Sequence, residues 1–84
     1  MPLFMDVHQT MPEGATAKDV ADAHAADVGV QDKYGVKYLQ YWVDEEQRKI
    51  FCLVEAPDAD AANAVHLEAH GLVADEIHPV VAGE

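Results

Sequence analysis

The chain contains no serine, a single cysteine and few basic residues. Without serine there is no serine catalytic triad, and Cys52 has no second cysteine with which to form an internal disulfide. Lysine and arginine together number 5 against 16 aspartates and glutamates, which gives a formal net charge of −11. This charge repels nucleic acid and anionic membranes, because both bind basic surfaces, and it attracts cations such as metal ions.

Long apolar runs are also lacking. No stretch approaches the roughly 18–20 apolar residues of a membrane span, and the N-terminus lacks the basic region and apolar run of a signal peptide. The glycines are scattered rather than gathered into a phosphate-binding loop. We therefore expect a cytoplasmic protein that binds neither nucleic acid nor membrane. A length of 84 residues predicts a single domain over residues 1–84, with a core thin enough to benefit from a partner subunit or a bound metal.

Hydrophobic patterning and turn signals predict four strands, over residues 2–9, 36–43, 50–56 and 72–81. The second and third strands are separated by a short charged connection, so they are expected to form a hairpin. Alanine-rich segments between the first and second strands, and between the third and fourth, predict two helices.

The helix ends carry capping signals. Thr16 followed by Asp19 is a variant of the capping box and predicts the start of the first helix, which should end before Gly35. Asp58 is a natural N-cap for a second helix that runs through His70. The element order β-α-β-β-α-β predicts an α+β ferredoxin-like fold, in which an antiparallel sheet carries both helices on one face.

Strand alternation assigns each side chain of the sheet to a face. We expect the wholly apolar set Leu3, Met5 and Val7 to pack against the helices, together with Cys52. The opposite, open face is then expected to carry Phe4, Asp6, His8, Tyr38, Gln40, Trp42, Phe51, Leu53 and Glu55. Monomers rarely expose so large an apolar patch, so it predicts a homodimer that closes two sheets face to face.

The five histidines are the most informative feature of so short a chain. His66 and His70 are four residues apart on the second helix, a spacing that lets both imidazoles reach one metal ion. We expect them on the flank of the buried stripe, where an ion can enter from solvent. Leu67 follows His66 where a zincin has its catalytic glutamate, so the pair does not predict a peptidase. Two polar residues that merely border a core face would show the same spacing.

The predicted topology adds further donors at the same end of the molecule. The first strand ends where the second helix ends, which brings His8 and Asp6 toward His70. Imidazole and carboxylate donors suit nickel, zinc, copper or ferrous iron, whereas calcium and magnesium prefer oxygen alone. Alternatively, His8 is an edge histidine and Asp6 a carboxylate that faces the dimer cleft.

The first helix contributes a third pair. His24 lies on its apolar stripe, where it is either a core histidine or a residue that approaches His66 from the neighbouring helix. Asp27, three residues on, is expected to offer an oxygen at a surface site. A buried Cys52 is expected to be structural and unreactive, because apolar surroundings raise the pKa of a thiol.

Fold analogy also suggests a different function, a small enzyme that oxidises or isomerises a small molecule in the cleft between two sheets. Its residues would be Asp6, His8, Glu55 and Tyr38, with Trp42 and Phe51 as walls.

Over essentially its whole length the chain resembles a family of small bacterial ferredoxin-like proteins that was first catalogued as a domain of unknown function and includes a nickel-binding member. The most specific segments are FCLVEAPD at residues 51–58 and AVHLEAHG at residues 64–71. The positions shared with the family pattern are Asp6, His8, His24, Cys52, Glu55, His66 and His70. The resemblance implies a homodimer that binds nickel and buffers or sequesters it.

We therefore expect a cytoplasmic, homodimeric, nickel(II)-binding protein of metal homeostasis that is not an enzyme. His66 and His70 are the first choice of ligands, His8 and Asp6 the second, and His24 with Asp27 the third. Zinc and copper remain alternatives to nickel, because the sequence does not reveal the coordination geometry that would separate them.

Overall fold

A computed structural model describes residues 2–83 and has the ferredoxin-like fold that the sequence predicts. The four strands are β1 Leu3–His8, β2 Lys37–Asp44, β3 Lys49–Glu55 and β4 Glu76–Val80. They pair antiparallel in the order β2-β3-β1-β4. Helices α1 Ala17–Val30 and α2 Ala59–Ala69 pack against each other on one face of this sheet, and a short 3₁₀ helix, Gln31–Tyr34, follows α1.

Both helices begin at the predicted caps. The Asp19 amide donates to Thr16 Oγ1 at 3.4 Å, and the Asp19 carboxylate accepts from the Thr16 amide at 2.8 Å. At the start of α2, Asp58 Oδ1 accepts from the Ala61 amide at 2.8 Å. Gly35 ends the 3₁₀ helix with a φ of +67°, a conformation that glycine adopts without strain.

The last strand is shorter than predicted. Residues 72–75 lie outside it, and the Ala74 amide donates to the Asn63 side chain at 3.1 Å instead of joining a strand ladder. The Asp75 amide donates to the Val7 carbonyl at 2.9 Å, which leads the chain into β4.

The predicted faces of β1 are reversed in the structure. Asp6 lies opposite Cys52 in the β1–β3 ladder, and both side chains are buried on the helix side of the sheet. Phe4, Asp6 and His8 therefore face the helices, whereas Leu3, Met5 and Val7 lie on the open face. Strand alternation separates two faces but does not say which one is covered. The polar side chains of β1 face the helices because the helices offer them hydrogen-bonding groups on that side of the sheet.

A β-bulge in β2 reverses one further residue. The register shifts between Tyr38 and Gln40, so that Tyr38 pairs with the buried Val54 while Gln40 pairs with Leu53. Tyr38 consequently lies on the helix side and is buried, contrary to the prediction, and Gln40 and Trp42 lie on the open face as predicted. The extra residue in the strand breaks the alternation on which the prediction rested.

The hydrophobic core lies between the sheet and the helices and consists of Val36, Tyr38, Cys52, Val54, Ala56, Ala62 and Val65. Four polar side chains are buried as well, namely Asp6, His8, Asp27 and His66. Within residues 2–83 no helix combines the length and the apolar character that crossing a membrane requires. The interior thus combines an apolar core with a group of buried polar side chains.

Candidate metal centre

Five of the six predicted ligands meet in one network between β1 and the two helices. These residues are Asp6 and His8 from β1, Asp27 from α1, His66 from α2, and His70 directly after α2. The end of β1 and the end of α2 lie together here, as the topology predicts.

His66 lies at the middle of this network and is 1% exposed. Its Nε2 lies 2.9 Å from Asp6 Oδ2, and its Nδ1 lies 3.0 Å from Asp27 Oδ1. A ring that bonds a carboxylate through each nitrogen donates through both, so it carries a proton on each. Burial lowers the pKa of His66, but the hydrogen bonds and charges of Asp27 and Asp6 outweigh burial and raise this pKa to about 9.

Tyr38 reaches the same network from β2. Its hydroxyl oxygen lies 2.8 Å from His66 Nε2, and the hydroxyl donates to Asp6 Oδ2 at 3.0 Å or to the Ala62 carbonyl at 3.1 Å. Burial and the charge of Asp6 raise the pKa of Tyr38, so the phenol keeps its proton. Burial alone would raise the pKa of Asp6, yet the hydrogen bond from His66 and the proximity of the His66 and His8 rings hold it well below its usual value.

His70 closes the other side of the network, next to α1. Its Nε2 lies 3.0 Å from Asp27 Oδ1 and 3.2 Å from His66 Nδ1. Asp27 is 3% exposed; burial raises its pKa, but the bonds and charges of the two histidines bring that pKa below the usual value. The Leu72 amide donates to His70 Nδ1 at 3.1 Å, so the proton of a neutral His70 ring sits on Nε2 and points at Asp27.

Two sets of metal-ligating atoms result, and they share His66. In each set the donor atoms lie within 4.8 Å of one another. We call Asp27, His66 and His70 the outer group, and Asp6, His8 and Cys52, which form the other set together with His66, the inner group. Burial, aided by the charge of Asp6, raises the pKa of the Cys52 thiol, which therefore keeps its proton as predicted.

A pocket of about 360 Å³ adjoins the network. Its apolar walls come from Pro12, Ala15, Val20, Ala23, Ile50 and Leu72, and its polar lining includes His8, His24, Asp27 and His70. An ion in this pocket meets residues of both groups.

Two sequence predictions about the helices need correction. Asp27 is buried against His66 and His70 rather than exposed beside His24. His66 is fully buried rather than on an open flank; only His70, with 15% of its side chain exposed, borders solvent. The alanine-rich helices have little hydrophobic asymmetry, so small errors in the predicted stripe rotate their faces.

His24 stands apart from the network. Its ring packs on Tyr41 at a centroid distance of 4.7 Å, and the residue lines the pocket. His78 on β4 is exposed, and its Nε2 lies 3.0 Å from Glu76 Oε1.

The residues predicted to surround a substrate do not share one face of the sheet. Asp6, His8 and Tyr38 lie on the helix side of the sheet, whereas Glu55 pairs with Leu3 on the open face. The two predicted walls, Trp42 and Phe51, also lie on the open face. The sheet itself therefore separates the groups that were expected to surround a substrate.

Comparison with known proteins adds two findings. A family model described as "Nickel responsive protein SCO4226-like" matches residues 4–80. The crystal structure of SCO4226 from Streptomyces coelicolor A3(2) is similar to this chain, with 41% sequence identity over 98% of this chain and 99% of that one, and a TM-score of 0.86. None of the curated proteins compared with the chain matches it.

Proposed function

The chain belongs to the SCO4226-like family of nickel-responsive proteins, and from this membership and the chemistry of the outer group we propose that it binds nickel(II) as cargo. The observation that carries the proposal is the convergence of Asp27 oxygen, His66 Nδ1 and His70 Nε2 within 4.8 Å beside a pocket. Two imidazoles and a carboxylate are donors that suit nickel(II), and waters in the pocket would complete its coordination shell. Zinc and copper accept the same donors, so which of the three metals is bound depends on which ion is available.

Loading the outer group displaces protons. Nickel(II) needs the Nδ1 lone pair of His66, which a proton occupies because the pKa of this ring is raised to about 9. The ion also takes Nε2 of His70, so the proton of that ring moves to Nδ1 or leaves. Nickel uptake should therefore release protons, and the apparent affinity should rise with pH until about 9.

We propose that the role is sequestration or buffering within metal homeostasis and not catalysis. Asp6 and Asp27 bond His66, and Asp27 also bonds His70, so these four residues are not presented as free bases to a substrate. The net charge of −11 favours the approach of cations. A cytoplasmic location and the lack of a nucleic-acid partner are predictions that rest on the sequence composition.

We also propose that the open face of the sheet is covered by a second copy of the chain. Its apolar side chains, with the faces of β1 corrected, are Leu3, Met5, Val7, Trp42, Phe51, Leu53 and Val80. Trp42 is 47% exposed in the isolated chain. An apolar patch of this kind on a small acidic protein favours burial between two copies.

Calorimetric titration with nickel(II) tests the proposal. His70→Ala is the main variant, because His70 borders solvent and its truncation leaves the buried His66–Asp6 pair in place. We expect nickel affinity to fall at least about tenfold, the usual order for loss of one ligand or its support. Asp27→Asn, which keeps the shape of the side chain, should also lower the nickel affinity.

His78→Ala is the matched control, since His78 is an exposed histidine that pairs only with Glu76 among the described residues. It should leave the affinity unchanged. If both His70→Ala and Asp27→Asn keep wild-type stoichiometry and affinity, the outer group is not the nickel site.

A further inference from the structure

One oxygen in the interior lacks a partner. Asp6 is 0% exposed, and its Oδ1 is the buried side-chain polar atom without a hydrogen bond within residues 2–83. Leaving a buried acceptor unbonded is unfavourable, and more so when the group is charged. Such an atom calls for an explanation, and an ion is one of the accepted explanations.

Other metal ligands surround this oxygen. His8 Nε2 lies 3.5 Å from Asp6 Oδ1, too far for a good hydrogen bond, and the Cys52 sulfur belongs to the same set of atoms within 4.8 Å. His66 also belongs to this set, and its Nε2 lies 2.9 Å from the other oxygen of Asp6. An ion bound to the outer group contacts the His66 ring but none of the other atoms of this set.

We propose that the inner group holds a second divalent ion, and that the His66 ring bridges it to the ion of the outer group. His66 directs Nδ1 to Asp27 and His70, and Nε2 to Asp6, so a single ring serves both positions. The bridge rests on the nickel site proposed above; the inner position does not, because Asp6, His8 and Cys52 belong to it alone.

The exchange of protons for ions balances. When both positions fill, the two ring protons of His66 and the thiol proton of Cys52 leave. The charges of two divalent ions are then matched by the carboxylates of Asp6 and Asp27, the Cys52 thiolate and the His66 imidazolate. The Tyr38 hydroxyl gives up its contact with His66 Nε2 and keeps its bond to Asp6 Oδ2 or to the Ala62 carbonyl.

The donor set defines the class of ion. Thiolate, imidazole and carboxylate together suit a borderline ion such as nickel(II) or zinc(II), and they disfavour calcium and magnesium. His8 lines the pocket and is also a member of the inner group, so it provides the route by which an ion passes from the pocket to Cys52.

The thiolate gives the inner position a spectroscopic signature. Nickel(II) bound to a thiolate absorbs in the near ultraviolet by charge transfer from sulfur, whereas nickel(II) on imidazole and carboxylate alone does not. The test is a titration of the reduced protein with nickel(II), followed by near-ultraviolet absorption and by equilibrium dialysis. The variants are Cys52→Ser, His70→Ala and the exposed control His78→Ala, and far-ultraviolet circular dichroism verifies that each is folded.

We expect the wild type to develop the band, and Cys52→Ser to lose both the band and one equivalent of nickel per chain. His78→Ala should retain the band. His8→Gln, which removes a different inner ligand, should weaken the band and thereby guards against a folding defect in Cys52→Ser.

The outcomes separate the two proposals. A wild type that binds nickel without the band, with a stoichiometry that Cys52→Ser leaves unchanged, overturns the inner position and leaves the outer one standing. A band that persists in His70→Ala at undiminished total stoichiometry overturns the outer site and the bridge, and supports the inner position alone.

Discussion

The imidazole of His66 lies in the interior between Asp6 and Asp27, where two negative charges face one positive charge. A buried ion pair contributes little net stability compared with apolar side chains of the same shape, but loss of one partner leaves an uncompensated charge. Apolar packing would therefore stabilise this small core at least as well. The presence of a polar triad in its place supports a function for these residues beyond folding.

The pKa of His66 makes the stability of the metal-free protein depend on pH. Folding raises this pKa from 6.5 to about 9, so the stabilisation is complete below pH 6.5 and is lost as the pH rises through about 9. The difference corresponds to about 3 kcal/mol. Urea unfolding of chelator-treated protein between these pH values should show the free energy of unfolding decrease, and a flat or rising profile would contradict the charged triad.

The bond between the Leu72 amide and His70 Nδ1 reports on metal at His70. An ion on Nε2 leaves the ring proton on Nδ1, where it faces the Leu72 amide and removes the acceptor of that bond. We expect zinc(II), which is diamagnetic, to accelerate hydrogen exchange of the Leu72 amide while the remainder of the centre becomes more protected. Slower exchange of this amide on loading would show that Nε2 of His70 is not a ligand.

At the scale of the elements, α1 and β1 determine the geometry of the centre. Helix α1 carries Asp27 near its end, and its start is fixed by the capping box of Thr16 and Asp19. β1 carries Asp6 and His8 on alternate positions of the covered face. Errors in the rotation of either element would move a ligand out of the network.

Removal of the α1 cap should destabilise the protein modestly. Thr16→Ala deprives the Asp19 amide of its acceptor and should lower the free energy of unfolding by about 1 kcal/mol. Urea denaturation measures this loss, with Thr10→Ala, at an exposed threonine outside the helices, as the control. Equal stability of Thr16→Ala and wild type would mean that the cap does not hold the helix start.

We could predict the element order, both helix caps and the proximity of His8 to His70. Local sequence patterns indicate caps and turns, and the order of the elements indicates the topology. The inward face of β1 was not, because alternation is symmetrical until the covering layer is known. Tyr38 was missed as a member of the centre because the bulge beside it has no sequence signal comparable to a glycine or proline. Asp27 was placed on the surface because α1 is too rich in alanine to show which side is buried.

For the whole molecule, the sheet has one face covered by helices and one open, while the chain carries a net charge of −11. Charge repulsion opposes association of two copies, and burial of the apolar face favours it. Because salt screens the repulsion far more than it affects apolar contacts, a sheet-to-sheet dimer should strengthen as the salt concentration rises.

A charge on the open face should dissociate this dimer. Trp42→Glu places a carboxylate where the proposed partner packs, so sedimentation velocity should show a monomer where the wild type is a dimer. Leu67→Glu introduces the same charge at a residue of α2 that is 65% exposed, and it should remain dimeric. A monomeric wild type, or dissociation by both variants alike, would contradict the sheet-to-sheet interface.

Anomalous diffraction at the nickel edge from crystals of nickel-loaded protein locates the bound ion directly. We expect an anomalous peak inside the chain, within bonding distance of Asp27, His66 and His70. Peaks confined to exposed histidines such as His78 beside Glu76, with none in the interior, would contradict it.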